Sequence, residues 1–147
     1  MEAVIFTGLQ ASGKTTFYAG RFLLTHIRLN MDMLKTRYRE TLLLRACIEA
    51  KQPFVVDNTN PTRPERAKYI EPARAAKFRV VGYYFESAVR ACIARNNARP
   101  EDVRIPTVGL LGTYKRLQVP SMDEGYDVLY HVRCGPDGEF VVEDWKP

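Results

Sequence analysis

The stretch that most constrains this chain is Gly8-Leu9-Gln10-Ala11-Ser12-Gly13-Lys14-Thr15, a G-x-x-x-x-G-K-[ST] pattern placed directly after the β-prone apolar run AVIFT at residues 3–7. A buried strand, a glycine-rich turn and a helix N-terminus together make a cradle in which backbone N–H groups and the helix dipole converge on phosphate oxygens. In such a cradle Lys14 reaches the β- and γ-phosphates and Thr15 offers its hydroxyl to Mg²⁺. The expected nucleoside triphosphate site is therefore Gly8, Gln10, Ala11, Ser12, Gly13, Lys14, Thr15 and Thr16. No N-K-x-D guanine reader occurs in the chain, which favours ATP over GTP.

Strand-like and helix-like segments alternate through the rest of the chain, the pattern of a parallel sheet wrapped by helices. A helix follows the glycine-rich turn to about Leu24, and HIRLN at 26–30 reads as a short, weak strand. Residues 31–50 read as one long helix, with Leu34, Tyr38 and Leu42 as its apolar stripe. FVVD at 54–57 is a second buried strand, after which Thr62, Pro64 and Glu65 form a capping box for a helix that Pro72 should kink or split. FRVVGYYF at 78–85 is a strand. Ser87 can cap a helix with Val89, Cys92, Ile93 and Asn96 on one face, and Pro100 stops it near Ala98. Pro106 opens a helix to about Leu117, YDVLYHV is a late strand, and EFVVE pairs with it as a hairpin. The expected fold class is α/β: a P-loop NTPase-type parallel sheet flanked by helices, in a single domain over 1–147 with a helical lid at about 95–106.

Composition narrows the setting. A chain of 147 residues can bury a core without help from disulfides or a structural metal. Cys47, Cys92 and Cys134 form an odd set with no C-x-x-C pair, so they read as reduced, mostly buried small hydrophobes. No apolar run approaches the roughly 20 residues of a membrane span, and MEAVIFTGLQ lacks the basic start and cleavage site of a signal peptide. The expectation is an intracellular, cytoplasmic protein with no membrane partner. Twenty-two basic against 17 acidic residues leave a charge of +5, which invites polyanions such as nucleic acid or nucleotide.

Four further groups of residues decide what becomes of the γ-phosphate. Asp32 follows the second strand-like segment, at the sheet edge where ligands bind, and helical counting puts Lys35, Thr36 and Arg39 on its face. A carboxylate beside cations can take a hydroxyl proton while the cations hold an anionic acceptor. Asp57 ends a buried strand, where P-loop proteins place an aspartate that holds Mg²⁺ or its waters. Asn58 and Asn60 follow it in a polar loop on the acceptor side, a segment that also reads as turn chemistry leading into the Thr62 cap. Arg95 and Arg99 project together at the entrance of the lid, where guanidinium groups can neutralise charge on a transferring phosphoryl group.

Taken together, GLQASGKTTF, LNMD, VVDNTNPTRPERAKYIEPARAA and ARNNARPEDVRIP, in that order, resemble the kinase domain of polynucleotide 5′-hydroxyl kinases over most of the chain. The resemblance implies a four- or five-stranded parallel sheet, Lys14 and Thr15 on phosphates and Mg²⁺, Asp32 as general base, and Arg95 and Arg99 as lid arginines on the donor. Many members carry arginine immediately before the aspartate, where this chain has Met31, and some carry one three residues after it, where this chain has Lys35. Either Lys35 grips the acceptor phosphate without a bidentate fork or Arg39 has taken the task. No D-x-D-x-T phosphatase signature occurs in these residues. The reading that follows is transfer of the ATP γ-phosphate to the 5′-hydroxyl end of DNA or RNA. The alternatives are a kinase of a small-molecule hydroxyl and a nucleotide-binding switch.

Overall fold

The computed structural model describes residues 1–86, 88–135 and 137–146, so the expected Ser87 cap lies outside the described residues. Six strands form one sheet: β1 (Glu2–Thr7), β2 (Ile27–Leu29), β3 (Phe54–Val56), β4 (Arg79–Phe85), β5 (Val128–Cys134) and β6 (Phe140–Asp144), in the order β2-β3-β1-β4-β5-β6. The first five strands in this order run parallel to one another. β6 returns antiparallel to β5, with Val132 opposite Val142, as the hairpin reading expects. The chain builds outward from β1 to β3 and β2 on one side, then crosses back to β4 and β5 on the other. β1 thus lies at the reversal of strand order, where α/β sheets open a crevice beyond their carboxyl ends.

Period-two alternation sends the two faces of each strand into different cores. Ala3, Ile5, Phe54, Val56 and Val80 pack on one side with Tyr69, Ile70 and Ala73. Val4, Phe6, Val55, Val81, Tyr83 and Phe85 pack on the other with Phe17, Tyr18 and Phe22. On this second side Phe6 lies 5.0 Å from Phe85 and 5.8 Å from Phe17, ring centroid to ring centroid, and Phe17 meets Phe140 at 5.2 Å. The aromatic cluster therefore clamps helix α1 (Lys14–Arg21) and the late hairpin to the central strand. Trp145 anchors the far end of β6, donating Nε1–H to the Pro120 carbonyl and packing edge-on against Tyr84.

Several elements depart from expectation, each for a local reason. α1 stops at Arg21, three residues short. The long helix is two: α2 (Met31–Leu34) and α3 (Arg37–Glu49). Lys35 adopts φ 72°, the left-handed region, and Thr36 turns extended to cap α3 by accepting the Arg39 N–H at 3.2 Å. The break rotates α3, so that Glu40 and Cys47 face inward with Leu44 and Ile48, while Tyr38 and Leu42 are exposed. Helix α4 (Arg63–Ala75) runs through Pro72 without splitting. The carbonyl that Pro72 deprives of a partner belongs to exposed Lys68, which water can satisfy. Thr62 caps α4 as expected, but the Glu65 carboxylate accepts from Arg116. Helix α5 (Val89–Asn97) buries Cys92 and Asn96, and helix α6 (Thr107–Arg116) follows a 3₁₀ turn at Glu101–Val103. Cys47 and Cys92 are buried and Cys134 is exposed, a mostly buried set as expected, and all three are free thiols. Among the described residues no helix is long and apolar enough to cross a membrane.

Packing above β4 is tight enough to test. A Cβ added to Gly82 would come within 2.6 Å of the Tyr126 ring and 2.7 Å of Leu129 Cδ1. Gly82→Ala is expected to destabilise the fold by about 1–3 kcal/mol through overpacking. Urea titration should show a lower midpoint, and an unchanged midpoint would mean that the Tyr126 wall yields freely.

Candidate active site

The glycine-rich loop leaves β1 as a curl fixed from both sides. The Gly8 N–H donates to the Thr59 carbonyl at 3.0 Å, tying the loop to the chain beyond β3. A side chain at Gly8 would strike Phe85 Cβ at 2.8 Å, and Gly13 stands at φ 98° as it enters α1, so both positions require glycine. Lys14 is folded into the curl, where Nζ donates to the carbonyls of Leu9 (2.6 Å) and Gly8 (3.1 Å) and to Ser12 Oγ (3.4 Å). Burial pushes its pKa down to about 8, a pull that nearby Arg99 reinforces and the charges of Asp57 and Asp32 partly offset.

At the mouth of this curl, Thr15 Oγ1 donates to Asp57 Oδ2 at 3.0 Å. Asp57 is buried at the carboxyl end of β3, and its charge is answered by Arg28, whose Nε donates to Oδ2 at 2.8 Å and whose Nη2 donates to Thr15 Oγ1 at 3.1 Å. A hydroxyl and a carboxylate beside a phosphate cradle are the hard oxygen donors that Mg²⁺ takes when substrate phosphates and waters complete its shell, so the pair fits that ion. Binding there requires Arg28 to yield the Thr15 oxygen. The sequence reading missed Arg28: a lone arginine in a weak three-residue strand carries no local signal, because its partner lies 29 positions away.

The facing wall is built on α2. Asn30 caps it by accepting the Met33 N–H at 3.0 Å and donates to the Asp57 carbonyl at 2.6 Å. Asn58 accepts the Met31 N–H at 3.0 Å. These bonds fix α2 against the end of β3 and present Asp32 to a cleft of about 320 Å³ that Lys14, Thr15, Asp57 and Arg99 also line. Among the described residues no hydrogen bond or ion pair holds the Asp32 carboxylate.

Of the expected acceptor residues, Asp32 and Asn58 line the cleft, whereas Lys35, Arg39 and Asn60 do not. Lys35 is carried away by the break between α2 and α3, and Arg39 donates to the Leu34 carbonyl at 3.1 Å, closing the end of α2. Asn60 is buried and donates to the Phe6 carbonyl at 2.8 Å, and its own carbonyl accepts from Arg66. From the α2–α3 wall the cation that lines the cleft is Arg37, beside Lys14 and Arg99 from other elements.

Arg95 and Arg99 separate around the loop. Arg99 lines the cleft, while Arg95 Nη1 donates to the Ala11 carbonyl at 3.0 Å and faces a second hollow with Ser12, Arg133, Cys134 and Phe140. Two side-chain contacts brace this segment and the helix after it. Buried Asn96 exchanges hydrogen bonds with the backbone of Ile105, and Gln10 Nε2 donates to Thr113 Oγ1 at 3.0 Å across to α6.

A mostly parallel six-stranded sheet with a phosphate-binding loop after its central strand is the fold of the P-loop kinases. The chain belongs to the AAA domain family, whose pattern matches residues 4–111. It is similar to the bifunctional polynucleotide phosphatase/kinase of Schizosaccharomyces pombe, at 27% identity across 98% of this chain and 37% of that protein. The chain thus spans little more than a third of the relative it matches. Among solved structures, it overlays on a gluconokinase from Sinorhizobium meliloti 1021 (16% identity, 90% of this chain and 82% of that one, TM-score 0.64). It also overlays on Chaetomium thermophilum Kti12 in complex with ADP-AlF3 (15% identity, 89% and 88%, TM-score 0.67).

Lys14 gives the loop a pH signature. Below about pH 8 the ammonium is charged and attracts phosphate, and above that it is neutral in the free protein. Nucleotide affinity of the free protein, read as kcat/KM for the nucleotide or as a binding constant, is expected to fall as pH rises through about 8. Bound phosphates raise the Lys14 pKa, so kcat should stay level across the same range. A binding constant flat to pH 10 would contradict the buried, partly neutral lysine.

Proposed function

We propose that this protein is an ATP- and Mg²⁺-dependent kinase that phosphorylates the 5′-hydroxyl end of DNA or RNA. The observation that carries the reading is the Asp32 carboxylate, without a hydrogen bond or ion pair among the described residues, fixed on a capped helix across one cleft from Lys14, Thr15 and Arg99. Likeness to the yeast phosphatase/kinase supports the polynucleotide acceptor. The acceptor oxygen attacks the γ-phosphorus, its proton passes to Asp32, and the bond to the β-phosphate oxygen breaks to release ADP. Lys14 and Arg99 hold and neutralise the phosphoryl oxygens as charge spreads over them, with Arg95 on the donor side of the loop. Thr15 and Asp57 would hold Mg²⁺, which would supply positive charge to offset that of the donor phosphates. The transition state is loose, so Asp32 chiefly orients the nucleophile. The segment at 95–106 serves as the lid, braced internally by Asn96 and bonded to the glycine-rich loop through Arg95. DNA and RNA ends are equal candidates for the acceptor.

Transfer of labelled phosphate from ATP to a 5′-hydroxyl oligonucleotide, run beside a panel of small alcohols that includes gluconate, tests the reading. The oligonucleotide should be labelled, and labelling of a small alcohol alone would overturn the assignment. Asp32→Ala should lower kcat by about 10²–10⁴-fold while nucleotide affinity stays unchanged. Undiminished turnover in that variant would remove Asp32 from the mechanism.

A further inference from the structure

Arg28 bonds both of the oxygens that a metal would take from the protein. It is the middle residue of β2, in register with Val55, and its side chain lies on the face of the sheet that α1 covers. Nε donates to Asp57 Oδ2 at 2.8 Å and Nη2 to Thr15 Oγ1 at 3.1 Å, so one edge of the guanidinium spans the carboxylate and the hydroxyl. The Thr15 hydrogen is itself given to Asp57 Oδ2 at 3.0 Å, which closes the three groups into a ring of hydrogen bonds. Among the described residues no other cation is bonded to Asp57, and Lys14 Nζ is spent on Gly8, Leu9 and Ser12. Arg28 is also free to leave, as a purely structural arginine is not. The Arg66 side chain is fully buried with all three of its nitrogens bonded. The Arg28 side chain is 24% exposed, and among the described residues no hydrogen bond uses its Nη1. A second seat lies beside it: Cζ stands 5.9 Å from the centroid of the Tyr18 ring, which is fixed by donation from Oη to the His26 carbonyl at 2.7 Å.

Two cations on the Thr15 oxygen would repel each other. Mg²⁺ gives up water reluctantly and is ordinarily held by one or two carboxylates together with substrate phosphates. Here the protein offers one carboxylate and one hydroxyl, and both are engaged. We propose that Arg28 is an internal competitor for the Thr15–Asp57 pair, which makes entry of a divalent cation conditional on nucleotide phosphates in the glycine-rich curl. Without phosphates, a metal ion gains only two protein donors and must displace the guanidinium from both to reach them. With phosphates in the curl, their oxygens join the same shell, their charge favours a second cation, and the guanidinium withdraws toward Tyr18. The buried Asp57 charge is thus never left without a positive partner. Arg28 acts only through Thr15 and Asp57, so it is a positioning residue. The inference rests on the kinase reading, which gives those two residues to Mg²⁺.

Mn²⁺ is the probe, because its electron paramagnetic resonance signal separates free from bound ion without turnover. The wild-type protein should bind Mn²⁺ weakly alone and much more tightly once ADP is added. Arg28→Met, which keeps the bulk and removes the charge, should bind Mn²⁺ without nucleotide about 10–100-fold more tightly than wild type, the weight of a charge-assisted hydrogen bond that the ion no longer displaces. Thermal melts give a second readout. In EDTA the Arg28→Met protein should melt below wild type, because Asp57 has lost its partner, and Mn²⁺ alone should raise the Tm of the variant and not of wild type. Adding Asp57→Asn to Arg28→Met should abolish that rise, which ties it to this carboxylate. Arg28→Lys, whose single ammonium lacks the fork, should bind Mn²⁺ with an intermediate affinity, and it decides the matter if Arg28→Met does not fold. An Arg28→Met or folded Arg28→Lys protein that takes Mn²⁺ no more tightly than wild type overturns the proposal and leaves Arg28 a structural ion-pair partner. A wild-type affinity for Mn²⁺ that ADP does not raise overturns it equally. Failure of ATP to label any alcohol would sink the kinase reading instead, while the Mn²⁺ comparison still decides the competition.

Discussion

The site depends on how one buried charge is satisfied. Asp57 is 2% exposed at the end of β3, and an ionised carboxylate there is costly unless it is paired and hydrogen-bonded. Its carboxylate accepts from Arg28 on β2 and Thr15 on α1, its carbonyl accepts from Asn30 at the cap of α2, and its N–H donates to the Leu29 carbonyl. One residue therefore joins two strands and the starts of two helices. In the proposed function those two helix starts form the donor side and the acceptor side of the cleft. The chemistry that makes Asp57 and Thr15 suitable for a hard cation is the same chemistry that already seats a guanidinium there.

That arrangement sets Asp32 in place indirectly. Its carboxylate makes no hydrogen bond of its own among the described residues, so its position comes from the backbone of α2. That backbone is pinned by Asn30 and Asn58 acting as adaptors between the end of β3 and the first N–H groups of the helix. A carboxylate held this way keeps its lone pairs unbonded at the cleft. The glycine-rich curl is arranged differently. Lys14 occupies the carbonyls of its own loop, and incoming phosphate must draw it away from Gly8 and Leu9.

How much of this was legible in the sequence follows from the range of each interaction. The strands were readable because a strand buried on both faces is apolar throughout, as at AVIFT and FVVD, and the Thr62 cap because its partner is three residues away. The glycine-rich loop carries its whole geometry in eight residues. The division between α2 and α3 escaped because one left-handed residue, Lys35, outweighs a four-residue periodicity that looks continuous on paper. Once the helix is broken, counting from Asp32 no longer predicts which cation shares its wall, so Lys35 and Arg39 gave way to Arg37 at the cleft. Arg28 and Glu40 were invisible for a different reason. Each acquires meaning only from a partner far along the chain, Asp57 for the first and Tyr69 for the second. The fold class, by contrast, needed no such pairing and was read in full.

The same distinction explains why the +5 net charge says little about the partner. Much of the basic excess is spent inside the fold. Arg66 is fully buried against Glu124, Arg28 is bound to Asp57, and Arg63, Arg116 and Arg133 each pair with a carboxylate near the surface. Arg66 also donates to the Asn60 carbonyl, so all three nitrogens of its guanidinium are bonded. Arg37 has the same kind of carboxylate partner, yet it lines the cleft and among the described residues no hydrogen bond uses its Nε or Nη2. A cation can recognise a ligand only with donors that the fold has left unbonded. Which donors of a paired guanidinium remain free is a property that residue counts do not contain.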